Sequence, residues 1–146
     1  WLPGGASNSG GAVLRQFFSD AELAKLTPRL HPERPTGLDY LPLPGVGERF
    51  PDNDPLLEPR LEPRPADRAK LLQGILEGIA AIEARGYRRL AELGAPYPRT
   101  VRTVGGGAKN AAWGRIRSDL LGVPLVEAEQ GEAACGAARL AAGWIS

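Results

Sequence analysis

The sequence predicts an α/β domain built on parallel strands and packed helices, and three features of its second half carry that prediction. A long run of apolar residues at three- and four-residue steps marks a helix ending near Gly94. A β-branched stretch, Thr100-Val101-Arg102-Thr103-Val104, then runs straight into Gly105, Gly106 and Gly107. Behind the glycines come a second helical pattern, a short strand Val123-Pro124-Leu125-Val126, and an Ala-rich helix over 131–142. Strand, helix, strand in that order describes a crossover between parallel strands, and ligands of such folds gather at the carboxyl ends of the strands.

The elements in order begin with a glycine-dense loop, Gly4-Gly5-Ala6-Ser7-Asn8-Ser9-Gly10-Gly11, leading into a short buried helix over Ala12 to Phe18. That loop is either one wall of a ligand site or a tight packing turn. Ser19-Asp20-Ala21-Glu22 has capping-box spacing, a hydroxyl at the N-cap and a carboxylate three residues on, so a short surface helix should follow. Over 27–66 the character changes, because ten of the fourteen prolines fall there and each removes a backbone donor. We expect an ordered excursion rather than a disordered linker, since Leu38, Tyr40, Leu41, Leu43, Val46, Phe50, Leu56 and Leu57 are available to anchor it. His31 has no second histidine or cysteine near it and reads as a surface or capping residue.

Asp67 can cap the long amphipathic helix, on which Leu71, Leu72, Ile75, Leu76, Ile79 and Ile82 recur. Gly74 and Gly78, four residues apart, would let another backbone approach closely. Glu77 between them reads as part of a solvated face. After the triple glycine, a helix from Asn110 to Leu121 should show Trp113, Ile116, Leu120 and Leu121 inward and stop at Gly122.

Composition narrows the function. Eighteen basic and seventeen acidic residues, interspersed, give a net charge of +1 and no basic stripe, so no nucleic-acid partner is expected. No apolar run reaches the roughly 18 to 20 residues of a membrane span, and the start is not a signal peptide, so no membrane partner is expected either. The single Cys135 excludes an intrachain disulfide, reads as a buried inert thiol and suits the cytoplasm. The chain starts at Trp1 and contains no methionine, which suggests an internal piece of a longer polypeptide.

Three bare peptide units ahead of a helix suit a flat ligand, because glycine lacks the Cβ that would hold a ring away, while the helix amides favour acceptor-rich groups. Asn110 stands where it can cap that helix or offer its amide to a purine edge. A plain strand-to-helix turn with Trp113 as a core anchor fits the same residues. A P-loop is excluded, since Lys109-Asn110 supplies neither the glycine-lysine pair nor the hydroxyl behind it. A dinucleotide fold remains an alternative, with Glu127 about twenty residues past Gly107 as the ribose acid, although Asn110 and the bulky Trp113 argue against it.

Five blocks in order resemble the carboxyl-terminal domain of the FGGY family of carbohydrate kinases: the loop Gly4 to Gly11; Gly47-Glu48-Arg49-Phe50-Pro51 with Asp54-Pro55; Leu71 to Ala80; Gly105-Gly106-Gly107-Ala108-Lys109-Asn110; and Gly122 to Val126 with Ala134-Cys135-Gly136-Ala137-Ala138. Within the family, Gly37-Leu38-Asp39-Tyr40, the Gly47 block and Trp113 look most like the ribulose or xylulose kinases. The resemblance implies an actin-like, ribonuclease-H-like ATPase domain, here partial over 1–146, that takes ATP with Mg2+. It implies adenine resting on Gly105, Gly106 and Gly107, the Asn110 amide bonding adenosine, Trp113 lining the base, and Gly11 near the nucleotide. It further implies transfer of the γ-phosphoryl to a sugar hydroxyl. The family's sugar-binding domain, its catalytic aspartate and its glycine-threonine phosphate turn have no match in these residues, so the chain alone is expected to be inactive and no catalytic base or metal ligand is named. Homo-oligomerisation stays open. The competing class is a non-catalytic interaction module whose glycine turns serve packing.

Overall fold

A computed structural model of the chain describes residues 3–104, 106–128, 138 and 141. Gly105, Cys135 and most of the helix expected over 131–142 lie outside the described residues. The segment expected as a buried helix is a 3-10 helix over Gly11–Gln16, opened by Gly10, whose carbonyl accepts from the Val13 amide at 3.0 Å. A run this short gains more from the tight three-residue turn, which buries Val13 and Leu14 together, than from one turn of α-helix. Ser19 then caps α1 (Asp20–Leu26) with the reciprocal capping box the spacing predicts. The Ser19 hydroxyl accepts from the Glu22 amide at 3.2 Å, and the Glu22 carboxylate accepts from the Ser19 amide at 3.0 Å.

The proline-rich excursion is ordered but almost without regular pairing, held by single antiparallel bridges at Leu41↔Arg60 and Glu48↔Asp54. Tyr40, Leu43 and Leu61 are buried and Leu38 is half-buried, whereas the expected anchors Val46 and Leu56 are 62% and 79% exposed. Both adjoin the hydrogen bond from the Gly47 amide to the Leu57 carbonyl, on the stem of the excursion's hairpin, with their side chains in solvent. His31 is exposed, as expected, with its ring 3.3 Å from Glu33.

The platform beneath the excursion is α2 (Arg68–Glu92), begun by Asp67, whose side chain accepts from the Ala69 amide, and followed by Gly94 at φ +94°. It is less amphipathic than the periodicity suggests. Residues 71 to 76 are all buried, because the excursion covers one side and α3 (Ala111–Leu121) the other. The two helix glycines seat the excursion: a Cβ on Gly74 would lie 2.8 Å from Leu38 Cδ1, and one on Gly78 would lie 2.8 Å from the Tyr40 carbonyl oxygen. Glu77 is accordingly no solvated residue. Its carboxylate accepts from the Thr36 amide, the Thr36 hydroxyl at 2.5 Å and the Gln73 side chain, while Gln73 also binds the His31 and Arg34 carbonyls. Backbone groups that prolines prevent from pairing with one another are satisfied by the helix instead.

The strands β1 (Val101–Thr103) and β2 (Leu125–Glu127) pair in parallel, with Val101 opposite Leu125 and Thr103 opposite Glu127. Pro124 contributes only its carbonyl, which accepts from the Val101 amide, so β2 starts one residue later. Between them, α3 ends at Gly122 in the left-handed region, as predicted, but its inward face differs. Leu120 is 43% exposed and Arg117 is buried, drawn in by partners described below. Among the described residues no helix is long and apolar enough to cross a membrane.

Candidate functional site

At the carboxyl end of β1 the chain leaves Thr103 and Val104 and passes through a 3-10 turn, Gly106–Lys109, into α3. Asn110 takes the capping role: its Oδ1 accepts from the Trp113 amide at 2.9 Å. The side-chain NH2 of Asn110 has no partner among the described residues and remains a donor. Trp113, one turn in, folds back over the glycines. A Cβ on Gly107 would lie 2.4 Å from indole Cζ3, so the missing side chain makes room for the six-membered ring of the protein's own indole. Trp113 is half-buried, and its Nε1 is enclosed without a hydrogen-bond partner among the described residues.

Thr103, Val104, Gly107 and Trp113 face a cavity of about 630 Å3. Gly107 and Trp113 line it together with Thr103 and Val104 at the end of β1 and with Ile79, Ile82 and Tyr87 of α2. Gly4, Gly5 and Gly11 of the first glycine loop close it together with Phe50. Gly11 therefore faces the same space as Gly107 and Trp113. Asn110 is not among the lining residues, and Gly105 lies outside the described residues.

The first glycine loop is also a packing turn, since a Cβ on Gly5 would meet the Phe50 ring at 2.4 Å. Glu48 anchors that loop. Its buried carboxylate accepts from the Ser7 hydroxyl at 2.6 Å, the Asn8 amide at 2.7 Å and the Arg49 amide at 2.8 Å. Burial pushes the Glu48 carboxyl up, but these hydrogen bonds together outweigh it and hold the group below the usual carboxylate range.

A second buried charge lies in the cavity wall. Arg117 donates Nε and Nη2 to the two oxygens of Glu83, both at 2.7 Å, and Nη1 to the Thr103 hydroxyl at 2.5 Å. Its guanidinium carbon sits 5.5 Å from the centre of the Trp113 ring. Burial, with Glu83 beside it, pushes the Tyr87 phenol up. Neither the Glu83–Arg117 pair nor the hold of Glu48 on Ser7 and Asn8 carries a local sequence signal, because these partners stand 34 and about 40 positions apart. Among the described residues no three histidine, cysteine or carboxylate side chains cluster to hold a metal ion.

Comparison with known proteins gives this geometry its relatives. The family described as "FGGY family of carbohydrate kinases, C-terminal domain" matches residues 1–144. A xylulose kinase of Bacillus subtilis (strain 168) is 36% identical over 116 residues, which is 75% of this chain and 23% of that protein. Two solved structures from Lactobacillus acidophilus, a ligand-bound xylulose kinase and a gluconate kinase, share the fold with TM-scores of 0.71 and 0.70 at 22% and 21% identity. Each covers 94% of this chain, and the chain spans 30% of each. The chain thus spans about a quarter of the length of the curated relative it matches. The chain belongs to the FGGY family of carbohydrate kinases, whose C-terminal domain it matches over residues 1–144.

Proposed function

We propose that the cavity beside Trp113 receives the adenosine part of ATP, and that the domain serves a kinase transferring the γ-phosphoryl to a sugar hydroxyl, with a pentulose such as xylulose or ribulose as acceptor. The observation that carries this reading is the meeting of Gly107, Trp113 and Gly11, from segments about a hundred residues apart, around one space at the carboxyl end of β1. The volume lies in the range of about 300–1,000 Å3 usual for small-ligand sites, and the lining sets apolar side chains such as Ile79, Ile82 and the indole beside polar ones such as Thr103 and Arg117, which suits a heteroaromatic ring with polar edges. Ile79, Ile82 and the indole would enclose the base. The Asn110 NH2, left free by a cap that uses only Oδ1, would donate to an acceptor of the nucleoside at the mouth. Gly105 and Gly106 belong to the same bare stretch of backbone.

ATP supplies the transferable phosphoryl group, and Mg2+ would accompany its phosphates. This chain's residues contribute the positioning of the adenosine end, which lowers the entropic cost of bringing the phosphoryl group to its acceptor. No residue described here is assigned to the sugar, the metal or the proton of the acceptor hydroxyl. Family membership sets the dinucleotide alternative aside. The indole seated on Gly107 favours a second reading, in which the glycine turn exists for packing alone.

Titration calorimetry with ADP separates the two. On the proposed reading ADP binds, NAD binds no better, and Trp113→Ala weakens ADP by about tenfold. Unchanged affinity in Trp113→Ala, or a folded chain indifferent to adenine nucleotides, would falsify the assignment and favour the packing turn.

A further inference from the structure

We propose that Arg117 is a positioning residue: locked by Glu83 and Thr103, it presses the Trp113 indole against Gly107 and so fixes the wall that a bound base would meet. Arg117 is only 8% exposed, yet three of its five N–H donors are matched at 2.5 to 2.7 Å, two of them by one carboxylate in fork geometry. That fork draws on three elements, since Glu83 is on α2, Thr103 ends β1 and Arg117 belongs to α3. Its plane therefore cannot turn without moving all three. The indole borders both the guanidinium, whose carbon lies over the ring 5.5 Å from its centre, and the bare backbone of Gly107, where a Cβ would meet Cζ3 at 2.4 Å. A cation held over a ring attracts it most strongly where water is excluded, and here the ring has no other polar hold, because Nε1 is without a partner among the described residues. The Glu83 carboxylate neutralises the guanidinium, so the pair orients the ring without making the cavity strongly cationic. The step from indole to base rests on the adenosine reading above; the step from Arg117 to the indole does not.

The experiment uses the whole 146-residue chain, 15N-labelled, with the indole Nε1–H signal of Trp113 assigned by its loss in Trp113→Phe. Two variants are compared: Arg117→Met, and Glu83→Leu combined with Arg117→Met. Replacing both members of a buried ion pair by apolar side chains recovers stability that the single change loses. The pair therefore also carries the test if the single variant does not fold. The expected result for the combined variant is a melting temperature and an Ile116 amide protection near those of the wild type. Trp113 Nε1–H exchange is about tenfold faster, and ADP binding about tenfold weaker. Indole exchange and ADP affinity that recover together with the melting temperature would show a purely structural ion pair and overturn the proposal. Faster indole exchange in a chain whose ADP affinity ignores Trp113→Ala upholds Arg117 as the holder of the ring and refutes the adenosine reading instead.

Discussion

Replacing Gly78 with alanine sets two opposing effects against each other at one atom. Alanine favours the helix over glycine by about 1 kcal/mol, through the conformational freedom the unfolded chain no longer has to lose. Against this, the new Cβ would lie 2.7 Å from Pro42 Cδ and 2.8 Å from the Tyr40 carbonyl oxygen. Pro42 is fully buried with a rigid ring, and the other neighbour is backbone, so neither can turn aside as a flexible side chain would. Overpacking of this kind belongs at the upper end of its usual range, about 3 kcal/mol. The net loss is then about 2 kcal/mol, a fall of roughly 4–8 °C in Tm for a chain of this length. Gly114, on α3, supplies the internal control, because a Cβ there meets nothing within 4 Å. Gly114→Ala should stabilise by about 1 kcal/mol. Urea unfolding, with equal slopes checked between variants, and a calorimetric scan measure both changes. If Gly78→Ala matches or exceeds the wild type in stability, the seating of the excursion on the helix glycines is wrong.

Two further outcomes follow from the same contacts. The Glu48 carboxyl is held below its ordinary value near 4.5, so its share of stability is complete above that pH and is lost as the pH falls through the lowered folded value. Glu48→Gln, which leaves one oxygen for donors from Ser7, Asn8 and Arg49, should cost about 3 kcal/mol at neutral pH and flatten the acid limb of a plot of urea midpoint against pH. An acid limb as steep in the variant as in the wild type would assign that loss to other groups. At Asn110 the cap and the ligand contact can be separated: Asn110→Asp keeps the acceptor for the Trp113 amide but removes the NH2, whereas Asn110→Ala removes both. Stability should fall by about 1 kcal/mol only in the alanine variant, while ADP affinity falls in both; an aspartate variant that binds ADP normally removes Asn110 from the nucleotide site.

How far the sequence could be read depended on the range of each interaction. The capping box at Ser19, the cap at Asp67 and the left-handed stop at Gly122 were legible because each is decided within a few residues by backbone geometry. The parallel strands either side of α3 were legible because the order strand, helix, strand implies a crossover, although the pairing itself is long-range. The order of the excursion was legible in its apolar content, but not which anchors bury. Val46 and Leu56 are left in solvent on a stem that only the bridges Leu41↔Arg60 and Glu48↔Asp54 create. The short helix expected over Ala12 to Phe18 is present at Gly11–Gln16, but its 3-10 type was not legible because two turns are too few to show a period.

The candidate site divides in the same way. Glycine content and the place of Asn110 before α3 belong to the sequence alone, since chain flexibility and capping are local properties. That the space at Gly107 is filled by the Trp113 indole, that Glu77 ties down Thr36 rather than facing water, and that Arg117 is buried against Glu83 were decided by tertiary structure. Those contacts join residues 6 to 41 positions apart, and a charged side chain reads as a solvated one until the fold brings its partner within hydrogen-bond reach.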